Sequence, residues 1–146
     1  YQNGGTGYVD RASIPSGAHL IDGWKVYVGR AAPGTGNKDT YPHRIISTPF
    51  LGESGSISSE TYLCIGTFDT RGEAESALSY LRCRLTRFLI LLHKPSQDTT
   101  RKVYAFVPTQ DWTRDWNDHD LYEKYGLSED EIDFVERIVR PMEADE

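Results

Sequence analysis

The side chains of this sequence with the most evident chemistry are cations. Arg82, Arg84, Arg87, Lys94, Arg101 and Lys102 crowd the stretch from residue 82 to residue 102, where the sole acid is Asp98. Guanidinium and ammonium groups hold phosphate oxygens through charge-assisted hydrogen bonds, so this set is expected to contact a phosphate backbone. A second set, Gln2, Asn3, Arg30, Asn37, Lys38 and Thr40, falls in Gly- and Pro-rich stretches that predict exposed loops. Amides and guanidinium groups on loops can form bidentate pairs with base edges, so these residues are expected to read bases.

Bond-making chemistry finds no support in the spacing. A metal-dependent nuclease of the PD-(D/E)xK type needs an acid two residues before a lysine. The residues two before Lys25, Lys38, Lys94, Lys102 and Lys124 are Gly23, Gly36, Leu92, Thr100 and Tyr122. The loop Gly34-Thr35-Gly36-Asn37-Lys38 lacks the glycine that precedes the lysine of a phosphate-binding loop, because Asn37 stands there. His19, His43, His93 and His119 are dispersed with no second ligand at metal-binding spacing. No serine sits in a G-x-S-x-G elbow, and no Pro-Pro pair occurs to build the loop that grips a flipped base. The expectation is a binding module with no catalytic residue, no metal and no cofactor of its own.

Charge is distributed unevenly. Net charge is −6, yet residues 1 to 110 hold 12 Lys and Arg against 9 Asp and Glu, while residues 111 to 146 hold 4 against 13. A polyanion responds to the local field, so an acidic tail does not exclude a DNA-facing surface upstream. Cys64 and Cys83 lie in apolar surroundings and are expected to be buried thiols. The longest apolar run, Phe88 to Leu92, is far short of the roughly 20 residues that span a bilayer. With no signal-like opening, the chain is expected to be cytoplasmic.

The elements that must carry these residues are legible in part. Trp24–Val28, Arg44–Ile46 and Thr61–Gly66 predict strands from their β-branched and aromatic content. Thr70 and Glu73 form a capping-box signature, and Ala74, Ala77, Leu78, Leu81, Leu85, Phe88, Leu89 and Leu92 then recur at helical spacing. This predicts one amphipathic helix of about six turns that stops before Pro95. Arg82, Arg84, Arg87 and His93 lie off its apolar stripe, either as a solvated face matched to the helix dipole or as a phosphate-contacting face. Val103–Val107 predicts a further strand closed by Pro108. Asp118–Tyr125 predicts a helix ended by Gly126, and Ser128 with Glu131 opens a last helix through Arg140. The expected fold class is α+β, a single domain over 1–146. It has a small mixed or antiparallel sheet in the first two-thirds, one long amphipathic helix, and a helical acidic end over 110–146.

Ordered blocks along the chain carry a resemblance. Tyr1-Gln2-Asn3-Gly4-Gly5-Thr6-Gly7-Tyr8-Val9, Lys25-Val26-Tyr27-Val28, Thr61-Tyr62-Leu63, Tyr80-Leu81 and Thr86-Arg87-Phe88-Leu89 come first. Lys102-Val103-Tyr104, Val107-Pro108, Asp111, Trp116, Leu121-Tyr122, Tyr125-Gly126-Leu127 and Glu131-Ile132 follow. In this order they resemble the C-terminal target-recognition region of type II restriction–modification adenine-specific DNA methyltransferases. The resemblance implies a piece of a larger enzyme whose missing catalytic domain uses S-adenosylmethionine to methylate a flipped adenine, and in which a nuclease is sometimes fused. It implies double-stranded DNA and the methyltransferase core of the same parent chain as partners, with no membrane involved. An alternative is a structural or docking module contacting the parent's other domains or subunits, with the acidic final helix meeting a basic partner.

Overall fold

Three strands and five helices form the α+β architecture seen in a computed structural model, which describes residues 5–32, 41–94 and 100–143. The strands are β1 (Trp24–Gly29), β2 (Phe50–Gly52) and β3 (Tyr62–Phe68), ordered β2-β1-β3 and antiparallel throughout. The helices are α1 (Arg71–Arg82), α2 (Arg84–Leu92), α3 (Arg101–Tyr104), α4 (Asp118–Tyr125) and α5 (Glu129–Ile138). No helix among the described residues is long and apolar enough to cross a membrane.

Strand alternation sends β1 to two different environments. Val26 packs with Ala74, Ala77, Leu78 and Leu81 of α1, while Val28 joins Ile45, Ile46, Ile90, Val103, Val139 and Met142. Lys25 and Tyr27 point the other way and are nonetheless buried. The Lys25 ammonium donates to the carbonyls of Ile21 at 2.8 Å, Gly23 at 2.6 Å and Glu53 at 3.3 Å. Burial lowers its pKa, and the three carbonyls are what make a buried ammonium tolerable. Tyr27 lies against Gly52 of β2, where an added Cβ would come within 2.2 Å of the ring.

Both capping boxes form, at Thr70 with Glu73 and at Ser128 with Glu131, and Gly126 ends α4 at φ 64°. Three expectations are corrected. First, the six-turn helix is two helices, because Cys83 is extended at φ −61° and ψ 142°. Breaking a helix exposes carbonyls on one side and amides on the other. Here the Arg87 guanidinium takes the Arg82 carbonyl, at 2.9 Å from Nη2 and 3.2 Å from Nε, and the Asp118 carboxylate accepts from the Arg84 amide at 2.5 Å. Neither proline nor glycine marks the break.

Second, Arg44–Ile46 is not a strand. Ile45 takes φ 72°, a conformation that costs a β-branched residue strain, and the resulting kink buries Ile45 and Ile46 together instead of alternately. This segment runs beside the C-terminal end, with His43 N donating to Ile138 O and Arg140 N donating to His43 O, both at 2.9 Å. Third, Val103–Val107 is a helical turn and its exit. A strand would put Val103 and Tyr104 on opposite faces; the turn instead lets Val103, Tyr104 and Val107 all pack against one core. The short β2 was not anticipated, as three residues leave no alternation to read.

The acidic end is part of the core. Trp116, Leu121, Tyr122 and Val135 pack with Tyr80, Cys83 and Leu85, so residues 111 to 143 complete the structure that α1 and α2 begin.

Candidate nucleic-acid interface

The six cations expected to hold phosphate separate into two groups once folded. Arg87 is fully buried, and its Nη1 donates to the Arg44 carbonyl at 3.2 Å in addition to the bonds with Arg82. Desolvation lowers its pKa to about 10. The helix break rotates α2 so that Leu85, Thr86, Arg87 and Ile90 face inward. Arg87 is therefore withdrawn from the phosphate-contacting set: it is the side chain that closes the break in the helix and secures the kinked segment.

Lys94 does related work. Its ammonium donates to the Ile45 carbonyl at 2.8 Å, so Arg87 and Lys94 hold consecutive carbonyls of the strained turn. Arg84 pairs with Glu136 of α5 at 2.5 Å, with its side chain 20% exposed. Arg82 is half-buried and its Nε has no hydrogen-bond partner among the described residues. Arg101 and Lys102, the first two residues of α3, are exposed and form no ion pair with a described residue. Arg101 lies close enough to β3 for its charge to act on the Cys64 thiol.

Of the residues expected to read bases, Arg30 is exposed just past the end of β1, where its amide donates to the Thr61 carbonyl at 3.0 Å. Gln2, Asn3, Asn37, Lys38 and Thr40 lie outside the described residues.

An aromatic feature was missed. His93, at the C-cap of α2, stacks on Phe106, two residues beyond α3, with centroids 3.6 Å apart and planes 9° from parallel. Both are exposed, Phe106 by 59%, which is unusual for a large apolar ring. Composition could have flagged His93 and Phe106 separately, but only the meeting of α2 and α3 joins them. The exposed cations Arg101 and Lys102 open the same short helix whose exit presents Phe106. An exposed aromatic ring beside exposed cations can pack against an apolar or aromatic surface of a ligand while the cations meet its negative charge.

The polar cluster around Gln110 was also missed. Gln110 is buried, donates to the Tyr80 hydroxyl at 3.2 Å and the Tyr125 hydroxyl at 2.8 Å, and accepts from Lys124 Nζ at 2.5 Å. The Tyr80 hydroxyl donates in turn to the Pro108 carbonyl at 2.9 Å. Each side chain is satisfied, which suits a lock between α1 and α4. Cys64 and Cys83 are free thiols, Cys83 buried and Cys64 half-buried, and burial pushes the pKa of both up.

Comparison with protein-family models, with curated proteins and with solved structures finds no match to this chain.

Proposed function

We propose that this chain is a DNA target-recognition domain of a restriction–modification adenine-specific DNA methyltransferase. It binds duplex DNA and selects the site, and the chemistry belongs to the rest of the parent enzyme. S-adenosylmethionine is the cofactor of that catalytic domain, no step of this chain runs through it, and the setting is cytoplasmic. The resemblance of the ordered blocks supports this reading. The observation that carries it is the placing of exposed Arg101 and Lys102 on the short helix α3, whose exit sets exposed Phe106 against exposed His93 at the end of α2. Arg30 contributes a further exposed cation.

Replacing Arg101 and Lys102 with glutamate in the intact enzyme tests it. Each lost phosphate contact lowers the slope of log K against log salt by about 0.9, so the double substitution should flatten the slope by about 2. Discrimination between cognate and mismatched sites should be largely kept, since phosphate contacts position and do not specify. An unchanged slope overturns the role of this face.

A docking module within the same enzyme is the second reading, favoured by the internal use of Arg84, Arg87 and Lys94. Deleting residues 111 to 146 would not separate the two, because Trp116, Leu121, Tyr122, Val135 and Val139 belong to the core. Point substitutions on exposed positions are needed instead.

A further inference from the structure

The outer side of the α2–α5 packing is left open. Leu85, Phe88 and Leu89 of α2 form one wall of a groove of about 520 Å³, and Leu127, Phe134 and Val135 form the other. Phe134 is 45% exposed and meets Phe88 edge to face at 5.9 Å. The apolar row continues past the groove at Leu92, which is 60% exposed. Leu85, Phe88, Leu89 and Leu92 thus present an i, i+3, i+4, i+7 stripe that is buried at Leu85, half-buried at Phe88 and Leu89, and exposed at Leu92. The sequence assigns this stripe to the core; the break at Cys83 turns its end outward.

The rim is acidic. Asp130 and Glu131 border the groove, and α5 as a whole carries Glu129, Asp130, Glu131, Asp133 and Glu136 against the single cation Arg137. Arg137 is itself placed over the Phe134 ring at 5.3 Å. Glu131 is engaged by the capping box and Glu136 by Arg84, which leaves Asp130 as the rim carboxylate outside those two pairings.

We infer that this groove receives a basic amphipathic helix of a separate protein partner. The stripe from Leu85 to Leu92 runs about 10 Å at the helical rise of 1.5 Å per residue, enough to seat two turns of a facing helix. Such a helix would place apolar residues at its own i, i+3, i+4 and i+7 positions into the groove. Lysine or arginine flanking that stripe would meet Asp130 and the acids beyond it. A second copy of this chain is disfavoured as occupant, since it would bring one acidic α5 against another. The inference does not depend on DNA binding.

The test uses the 146-residue chain and a fluorescent 16-residue helical peptide with leucines at i, i+3, i+4 and i+7 and lysines on the flanks. Three comparison peptides are needed: the same leucines with glutamate flanks, a scramble of the lysine peptide, and the lysine peptide with serine for leucine. The lysine peptide should bind at least ten-fold more tightly than each of the three, less tightly as salt rises. Amide shifts in the chain should map to α2 and α5. Leu92→Glu and Phe134→Ser, both at exposed positions, should each weaken binding at least ten-fold while the urea midpoint stays near that of the parent. Absence of binding overturns the inference, as do equal binding of the scramble or glutamate peptide and shifts confined to other elements. Concentration-dependent dimerisation through α2 and α5 would overturn it in favour of a second copy.

Discussion

Methionine in place of Arg87 keeps most of the aliphatic volume of that side chain and removes its donors. Two carbonyls lose their partner: that of Arg82, which accepts from Nε and Nη2, and that of Arg44, which accepts from Nη1. Stranding a buried carbonyl costs about 1–3 kcal/mol, so the pair costs about 2–6 kcal/mol. Removing the charge returns part of this, because burial holds the guanidinium's pKa down to about 10, well below the usual arginine range. At about 1.4 kcal/mol per pKa unit, the recovered desolvation is on the order of 3 kcal/mol. Set against about 2–6 kcal/mol, this leaves a net loss centred on about 1 kcal/mol and no larger than about 3 kcal/mol. With a urea m-value of about 2 kcal/mol/M, the midpoint followed by far-ultraviolet circular dichroism should fall by about 0.5 M, and by no more than about 1.5 M, with m unchanged. Arg101→Met, at an exposed position, should move it by less than about 0.3 M, within the ±0.5 kcal/mol typical of surface changes. Below the transition, the folded Arg87→Met protein should bind DNA with an undiminished salt slope, since a guanidinium bonded to backbone carbonyls touches no phosphate. A flattened salt slope in the folded variant, or a midpoint raised by more than about 0.5 M, would refute the buried role.

Asp118 offers a second contrast across the same helix break. Burial raises its pKa despite the Arg84 amide and the charges of Arg84 and Arg87, so the folded state binds the proton more tightly than the unfolded state does. Stability contributed by this group is therefore highest below the unfolded value and falls as pH rises through the folded one. At neutral pH, Asp118→Asn should be neutral or mildly stabilising in urea titration, whereas Asp118→Ala should lose about 1–2 kcal/mol by leaving the Arg84 amide without its acceptor; equal damage from both would contradict the account. In alkali, burial raises the pKa of Tyr80, Tyr104 and Tyr122. Their unfolded forms ionise near pH 10 while the folded forms stay protonated, so stability is intact below that pH and drops above it. The lowered pKa values of Arg87 and Lys25 work in the opposite direction over the same range, against the three tyrosines and the two cysteine thiols. Urea midpoints falling between pH 9.5 and 11, with tyrosinate absorbance lagging until the chain unfolds, are the expected result. Three tyrosines titrating normally in the folded protein would contradict it.

Local signals were legible wherever one segment supplies both partners of an interaction. Thr70 with Glu73 and Ser128 with Glu131 sit three residues apart, so their capping boxes depend on nothing distant. Gly126 terminates α4 because it alone tolerates the left-handed geometry there. Strands β1 and β3 announced themselves by β-branched and aromatic runs, and the α+β class followed from where strands and helices fall along the chain. The candidate interface was legible only as a composition. Among its cations, sequence distinguished neither Arg87 from Lys102 nor Lys94 from Arg101, because each is a charged residue in a basic stretch.

What the sequence by itself determined, then, is the starts of α1, α4 and α5, the stop of α4 at Gly126, two of the three strands, and the separation of a basic stretch from an acidic end. All of these rest on contacts within a few residues or on charge counted along the chain. Only the tertiary structure decided that the helix breaks at Cys83, that Ile45 kinks, that Arg87 and Lys94 turn to backbone carbonyls, and that His93 meets Phe106. Each of these couples residues far apart in sequence: Asp118 to Arg84, Arg44 to Arg87, Ile45 to Lys94. A polar group leaving water must find a partner wherever the fold supplies one. That partner is chosen in three dimensions, and no spacing rule along the chain can name it.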